Sequence, residues 1–190
     1  MNALETSIHQ FFGLANETDS KLVAGLFKTE TIAKNEFYQK AGRYCNKFSY
    51  VESGLIRVYL TMPEKEITQW VCTPGYFITD LSSFLFRATS KWNMQAITDC
   101  TVYTVQYEDY LALNKAIPKW TEFEKMFIYN CFITMENRIL SLISLSSEER
   151  YNLLFQQQPE LFNQVPLQYL ASMIGMTPET FSRIRSKKSA

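Results

Sequence analysis

Residues 166–185 read PLQYLASMIGMTPETFSRIR, and this stretch decides the reading of the chain. Leu167, Leu170, Ala171 and Ile174 recur at i, i+3, i+4 and i+7, the apolar stripe of a helix about two turns long. Gly175 follows at the place where a left-handed residue ends a helix without a Cβ penalty. Thr177 then caps a second helix, and Pro178 suits its first position, where no amide donor is needed. In that second helix Phe181 and Ile184 fall on the inward side, while Glu179, Ser182, Arg183 and Ser186 share the opposite face. Ala171 is small enough for the second helix to cross the first closely. Two short helices joined by a Gly-containing turn, the second presenting an acid, a hydroxyl and a guanidinium, predict a helix-turn-helix with its recognition helix.

On spacing alone an ordinary helical hairpin with a solvated polar face competes with that reading. Charge favours the first. From Pro166 onward Glu179 stands against Arg183, Arg185, Lys187 and Lys188, a net charge of +3 in a chain whose formal net charge is zero. A basic tail on a neutral protein suits a phosphate backbone. A mobile terminus over the final KKSA is the competing account of part of the same charge. The residues expected to meet DNA are Thr177, Glu179, Thr180, Ser182, Arg183, Arg185, Lys187 and Lys188.

The chain has 190 residues, 46% of them hydrophobic, which suits one large or two small domains with a real core. Zero net charge excludes wholesale coating of nucleic acid or membrane, so any such contact must be local. No basic-then-apolar leader and no apolar run near 18 residues is present, and a soluble, cytoplasmic protein without a membrane partner is expected. Cys45, Cys72, Cys100 and Cys131 lie about 30 residues apart with no Cys-x-x-Cys pair, a spacing that fits four reduced, mostly buried thiols.

Residues 1–30 carry helical periodicity, broken near Gly13. From about Thr31 short runs rich in aromatic and β-branched residues take over: Phe48 and Tyr50, then 55–60, 67–72, 94–98 and 102–107. Turn residues at Gly42, Ser53-Gly54, Pro63-Glu64, Pro74-Gly75 and Thr98-Asp99 separate them, which predicts an antiparallel sandwich or barrel. A jelly roll can house a metalloenzyme, but such sites need several histidines plus a carboxylate. The single histidine, His9, lies outside the barrel region, so no metal and no catalytic residues are expected and the chain does not read as an enzyme.

Residues 118–145 form the longest helical candidate. Trp120, Phe123, Phe127, Cys131, Met135 and Leu142 make one stripe, which Ile128, Phe132, Ile139 and Ile143 broaden. So wide an apolar arc exceeds the needs of one packing partner and predicts a helix held between its own β-domain and the same helix of a second subunit, with Phe127 and Cys131 in the seam. A wholly buried helix in a monomer is the alternative. Ser146 and Glu149 then form S-x-x-E, a capping box that restarts the helix. That helix should stop before Pro159, leaving room for at most a trimmed wing before Pro166.

Beyond these physical signals, LASMIGMTPETFSRIR resembles the recognition motif of the Crp/Fnr family of bacterial transcription regulators. Glu179, Ser182 and Arg183 match the Glu-x-x-Ser-Arg pattern of its oxygen-regulator branch, while Pro178 stands where the cyclic-AMP-receptor branch has a further arginine. Upstream, IAKNEFYQKAG, YVESGLIRVYL and WVCTPGYFITDL look like the family's effector-binding β-roll, so the resemblance spans nearly the entire chain. It implies an α+β protein with an antiparallel, cyclic-nucleotide-binding-like jelly roll at 1–117, a dimerisation helix at 118–145 and a winged-helix-like helix-turn-helix at 146–190. It also implies a homodimer on a palindromic site in double-stranded DNA, with RNA polymerase and a small-molecule effector as further partners. The oxygen-regulator branch's N-terminal cysteine cluster has no counterpart, so an iron–sulfur cofactor is not expected, nor any other.

The effector pocket implied by the resemblance comprises Gly75, Phe77, Asp80, Leu81, Arg87, Ser90 and Lys91. Its turn, GYFITDL, is present with aspartate in place of the family's glutamate, whereas the family's Arg-Ser pair falls on Ser90-Lys91. Without that arginine fork a cyclic phosphate loses two parallel charge-assisted bonds. The expectation is a pocket that takes another small molecule or is filled by Phe77, Phe84, Phe86 and Trp92. A small-molecule sensor acting through protein partners, with the helical tail as a docking module, is the competing function.

Overall fold

The computed structural model describes residues 2–14 and 17–188, which form two compact units. The first takes the chain up to Val58 and then Cys72–Phe132; the second takes Tyr59–Val71 and the chain from Ile133 onward.

The first unit opens with helix α1 (Ala3–Phe12), started by a capping box in which the Asn2 side chain accepts from the Glu5 amide at 2.8 Å. It ends at Gly13, whose φ of +66° is the left-handed stop expected there. Helix α2 (Glu17–Gly25) follows. Strand β1 (Lys28–Ile32) then begins inside the stretch the periodicity assigned to helix. The reason is tertiary: KTETI pairs antiparallel with a later strand, Lys28 opposite Thr104 through Ile32 opposite Cys100, and such pairing overrides weak local preference.

The strands that follow are β2 (Phe37–Gln39), β3 (Lys47–Ser53), β4 (Ile56–Thr61), β5 (Glu66–Cys72), β6 (Phe77–Ile78), β7 (Asn93–Ala96) and β8 (Cys100–Gln106). Helix α3 (Leu81–Phe86) interrupts them, and α4 (Tyr107–Ala116) closes the roll. The strands form two four-stranded sheets, in the orders β1-β8-β3-β6 and β2-β7-β4-β5, as the expected antiparallel roll requires. Residues 48–51 of β3 are all buried, so both faces of that strand are covered. Phe48, Tyr50 and Val105 turn toward the helices, while Ser49 and Thr104 meet at 2.8 Å on the other face. Gly54, at φ +87°, turns β3 into β4, and a Cβ there would collide with the Asp99 carbonyl and the Cys100 sulfur.

The core of this unit is aromatic. Phe12 stacks on Trp120 at 5.2 Å and on Phe127 at 4.9 Å, and Phe48 stacks on Phe77 at 5.2 Å. Trp120 and Phe127 belong to helix α5 (Trp120–Ser144), which matches the predicted long helix within two residues. Their burial corrects the expected seam. The stripe of Trp120, Phe127 and the half-buried Phe123 and Cys131 packs on the chain's own core. The face of α5 left in solvent is Met126, Tyr129, Phe132, Ile133, Met135, Ile139, Leu140, Leu142 and Ile143.

In the second unit α6 (Ser147–Gln157) starts at the expected capping box, with the Ser146 amide donating to the Glu149 carboxylate at 2.8 Å. The Ser146 hydroxyl, and after it that backbone contact, lower the Glu149 carboxyl from its ordinary value. Residues 158–166, considered for a trimmed wing, instead carry a short helix α7 (Leu161–Gln164). No strand follows it among the described residues. Helices α8 (Leu167–Met173) and α9 (Pro178–Lys188) complete the unit around Tyr151, Phe162 and Phe181, whose rings lie 5.0–5.6 Å apart. Lys187 and Lys188 are helical, and the last two residues of the KKSA tail lie outside the described residues.

Three of the four cysteines are buried and all four are free; burial pushes the Cys72 thiol up to about 12, which keeps it an inert core group. No helix among the described residues is long and apolar enough to cross a membrane, and those residues hold no cluster of metal-ligating side chains.

Candidate nucleic-acid interface and effector pocket

The α8–α9 turn forms as the sequence dictates. Gly175 sits at φ +67°, and the Met176 amide reaches back to the Ala171 carbonyl at 3.0 Å. Thr177 caps α9, its hydroxyl accepting from the Thr180 amide at 3.3 Å, with Pro178 in the first turn. Phe181 is fully buried and Ile184 nearly so, which locks the rotation of α9 about its axis. The outward face is thereby fixed. Glu179, Ser182, Arg183 and Ser186, with Leu167 and Pro178, line an open depression of about 580 Å³.

Thr177, Arg185, Lys187 and Lys188 are exposed around that face, and Thr180 is half-buried with its hydroxyl engaged by Thr177 at 3.2 Å. The Glu179 carboxyl is held below the usual range by its own backbone N–H and the Thr177 hydroxyl, so it stays an acceptor. Arg185 lies on the flank, close enough to Tyr151 to offset part of the rise that burial imposes on that phenol.

Two arginines that the sequence reading left without a role hold the turn. Arg150 Nε donates to the Ile174 carbonyl at 2.8 Å, Nη2 to Gly175 at 3.3 Å and Nη1 to Leu145 at 2.7 Å. Arg138 Nη2 donates to the Met173 carbonyl at 2.8 Å, and its guanidinium lies 5.1 Å over the Trp70 ring. Three successive carbonyls at the end of α8 thus meet cations, which satisfies orphan acceptors and complements the negative end of the helix. The Thr68 amide adds a bond to the Ser172 hydroxyl at 2.9 Å. Spacing could not have found these partners, because they lie 24 to 104 residues away in sequence.

In the first unit the expected pocket residues separate. Gly75 makes its turn at φ +93°, its amide bonded to the Val51 carbonyl at 2.9 Å. Asp80 is buried and caps α3, accepting from the Ser82 and Ser83 amides at 3.1 and 3.2 Å, so its carboxylate is already engaged. Phe77 and Leu81 pack on the helix-side aromatic core. Arg87 takes the left-handed cap of α3 and points away: its Nη2 donates to Asn46 at 2.8 Å, and it stacks over Tyr107 at 4.3 Å. Ser90 is buried in a turn, its hydroxyl accepting from the Trp92 amide at 3.1 Å, and Lys91 is exposed beside the Trp92 ring. Of the four aromatics considered as filling, Phe77 and Phe84 join the core, Trp92 is half-buried and Phe86 is 80% exposed.

Residues 29–116 match the cyclic nucleotide-binding domain family. No curated protein is similar enough in sequence to match. Solved structures are. FixK2 from Bradyrhizobium japonicum is 16% identical, with a TM-score of 0.72 over 86% of this chain and 84% of that one. The c-di-GMP-responsive global regulator CLP of Xanthomonas campestris is 14% identical, with a TM-score of 0.69 over 92% of both chains. A transcriptional regulator of the Crp/Fnr family from Eubacterium rectale is 16% identical, with a TM-score of 0.69 over 92% of this chain and 83% of its own. Residues 29–116 are therefore similar to a cyclic nucleotide-binding domain, and the chain as a whole shares the fold of these solved regulators.

Proposed function

We propose that the protein is a homodimeric, sequence-specific DNA-binding transcription regulator of the Crp/Fnr type, acting on RNA polymerase from a palindromic site. The observation that carries this is the outward face of α9, where Glu179, Ser182 and Arg183 line one open depression while Phe181 and Ile184 anchor the helix from behind. In a major groove a guanidinium matches guanine O6 and N7, and a carboxylate accepts from the cytosine amino group. Arg183 and Glu179 take those roles with Ser182 assisting; Arg185, Lys187 and Lys188 meet phosphate, and Thr177 and Thr180 position the helix start. The working division is an effector-type roll at 1–117, a dimer helix at 118–145 and a reading domain at 146–190.

Arg183→Ala should cost roughly 1–3 kcal/mol on the best site and relax preference at one base pair. Lys187→Ala should weaken all sequences alike. Binding to a selected duplex and its single-base variants decides between them: a uniform loss across variants for Arg183→Ala would refute base reading.

Cyclic AMP is not the effector in this account. A cyclic phosphate needs a matched cation on leaving water, yet a neutral serine, Ser90, stands at the arginine's place and Arg87 is held by Asn46 and Tyr107, while Asp80, the carboxylate for a ribose hydroxyl, already caps α3. Titration calorimetry with cyclic AMP and cyclic GMP should show no binding below about millimolar levels, given the absent charge-assisted bonds. Submicromolar affinity abolished by Arg87→Ala would overturn it.

A further inference from the structure

Two stretches of the first unit, 37–46 and 82–93, carry Lys40, Arg43, Arg87 and Lys91 and no acidic residue, in a chain whose formal net charge is zero. Backbone hydrogen bonds fasten the two into one surface. The Gly42 amide donates to the Ser90 carbonyl at 2.7 Å, the Ser90 amide to the Arg43 carbonyl at 2.9 Å, and the Ala41 amide to the Asn93 side chain at 3.1 Å. All four cations are exposed, and none makes an ion pair among the described residues. Of the acids nearby in sequence, Glu36 accepts from the Ala33 amide at 2.7 Å and Asp80 caps α3. Glu108 and Asp109, which follow Tyr107, form no ion pair with Arg87. Like charges gathered on one surface repel, so the arrangement does not serve the stability of the chain alone. Phe86, next to Arg87 in the chain, is 80% exposed, and the exposed Tyr44 ring lies 5.7 Å from the Arg87 guanidinium.

We propose that this face docks an acidic segment of another protein, which sets carboxylates on Arg43, Arg87 and Lys91 and an apolar side chain against Phe86. The proposal is independent of DNA reading by α9. Charge selects an anionic partner, and the aromatic residues select protein among the anions. Ring faces on this surface are already covered by the chain's own cations: Lys40 lies 4.7 Å over Phe37, Arg87 4.3 Å over Tyr107, and Lys91 5.2 Å over Trp92. Those faces are closed to the stacked bases on which the binding of single-stranded nucleic acid depends. A membrane needs a broad apolar face, yet Phe86 is followed by Arg87, Ala88, Thr89 and Ser90, and it is the one large apolar side chain of residues 82–93 that is mostly exposed. Arginine, tyrosine and tryptophan around one apolar anchor are the composition of a protein-binding hot spot. Cations steadied over rings draw an acidic partner in and fix its register.

Selection of a displayed random peptide library on the full chain tests this, with Phe86→Ser and the double variant Arg43→Glu, Lys91→Glu as counter-targets. The three side chains are exposed, so the variants keep their fold, which circular dichroism checks. Enriched peptides should combine several Asp or Glu with a large apolar residue. The best of them, synthesised, should lose at least about tenfold in affinity on each variant. Enrichment of no patch-dependent peptide overturns the proposal. So do peptides that bind Phe86→Ser as tightly as the wild type, which would reduce the patch to ion exchange. Oligothymidylate and phosphatidylglycerol vesicles are the other probes: patch-dependent binding of either, tighter than that of the peptide, would give the face to nucleic acid or to a membrane instead. Binding of a DNA duplex through α9 should be the same in all variants. Its loss in the patch variants would put the patch on DNA and overturn the proposal, whereas its absence in the wild type beside a patch-dependent peptide would sink the DNA reading and leave this one standing.

Discussion

Ile139→Glu and Ile143→Glu should each leave the chain folded and make it monomeric. Ile143 is 78% exposed and Ile139 54% exposed in the single chain, so neither substitution touches the core. In a two-fold seam each adds two unpaired carboxylates to an apolar interface, at several kcal/mol in total and so at least about a hundredfold in dissociation constant. Ultracentrifugation with circular dichroism on the same samples checks both halves of the statement. A dimer of unchanged strength would show that this face is not the seam. DNA binding should fall with dimerisation, because a single recognition helix reads only half a site.

The opposite outcome is expected at Phe12. Phe12→Ala should destabilise the first unit by about 3–5 kcal/mol, because the ring is fully buried between Trp120 and Phe127 and its loss leaves a cavity rather than a smooth surface. Phe127→Ala should cost a similar amount. Urea unfolding read by the fluorescence of Trp120, with Trp70 and Trp92 replaced by Phe in every variant compared, provides the measurement; a loss under about 1 kcal/mol would mean that α1 is not part of the core. These two sets of variants separate the two faces of α5: one side packs on the chain's own core and the other is exposed in the single chain.

That separation was the part of α5 that the sequence could not show. Its apolar arc is so wide that periodicity leaves open which side packs on the chain's own core, and Phe127 and Cys131, expected in a seam, pack there instead. Punctuation was far more legible. Gly175, Thr177-Pro178 and the Ser146/Glu149 box mark helix ends by local chemistry, and each acts in the structure as its chemistry requires. The short strand β6 and helix α3 escaped notice because six residues or fewer carry no period to count, and α3 is started by a single buried side chain, Asp80. The Arg138 and Arg150 clamp was invisible for another reason: its acceptors are backbone carbonyls, which every residue has, so only three-dimensional proximity identifies the pair.

The most direct test of the account is selection of bound duplexes from a random DNA pool by the purified full-length protein, followed by a salt titration on the winning site. The account predicts a two-fold symmetric site whose half-sites lie about one helical turn apart, roughly 34–36 Å, with a guanine in each half whose preference disappears in Arg183→Ala. It also predicts affinity that falls steeply as salt rises. Failure to enrich any sequence, or binding indifferent to salt, would contradict the claim that this protein reads DNA.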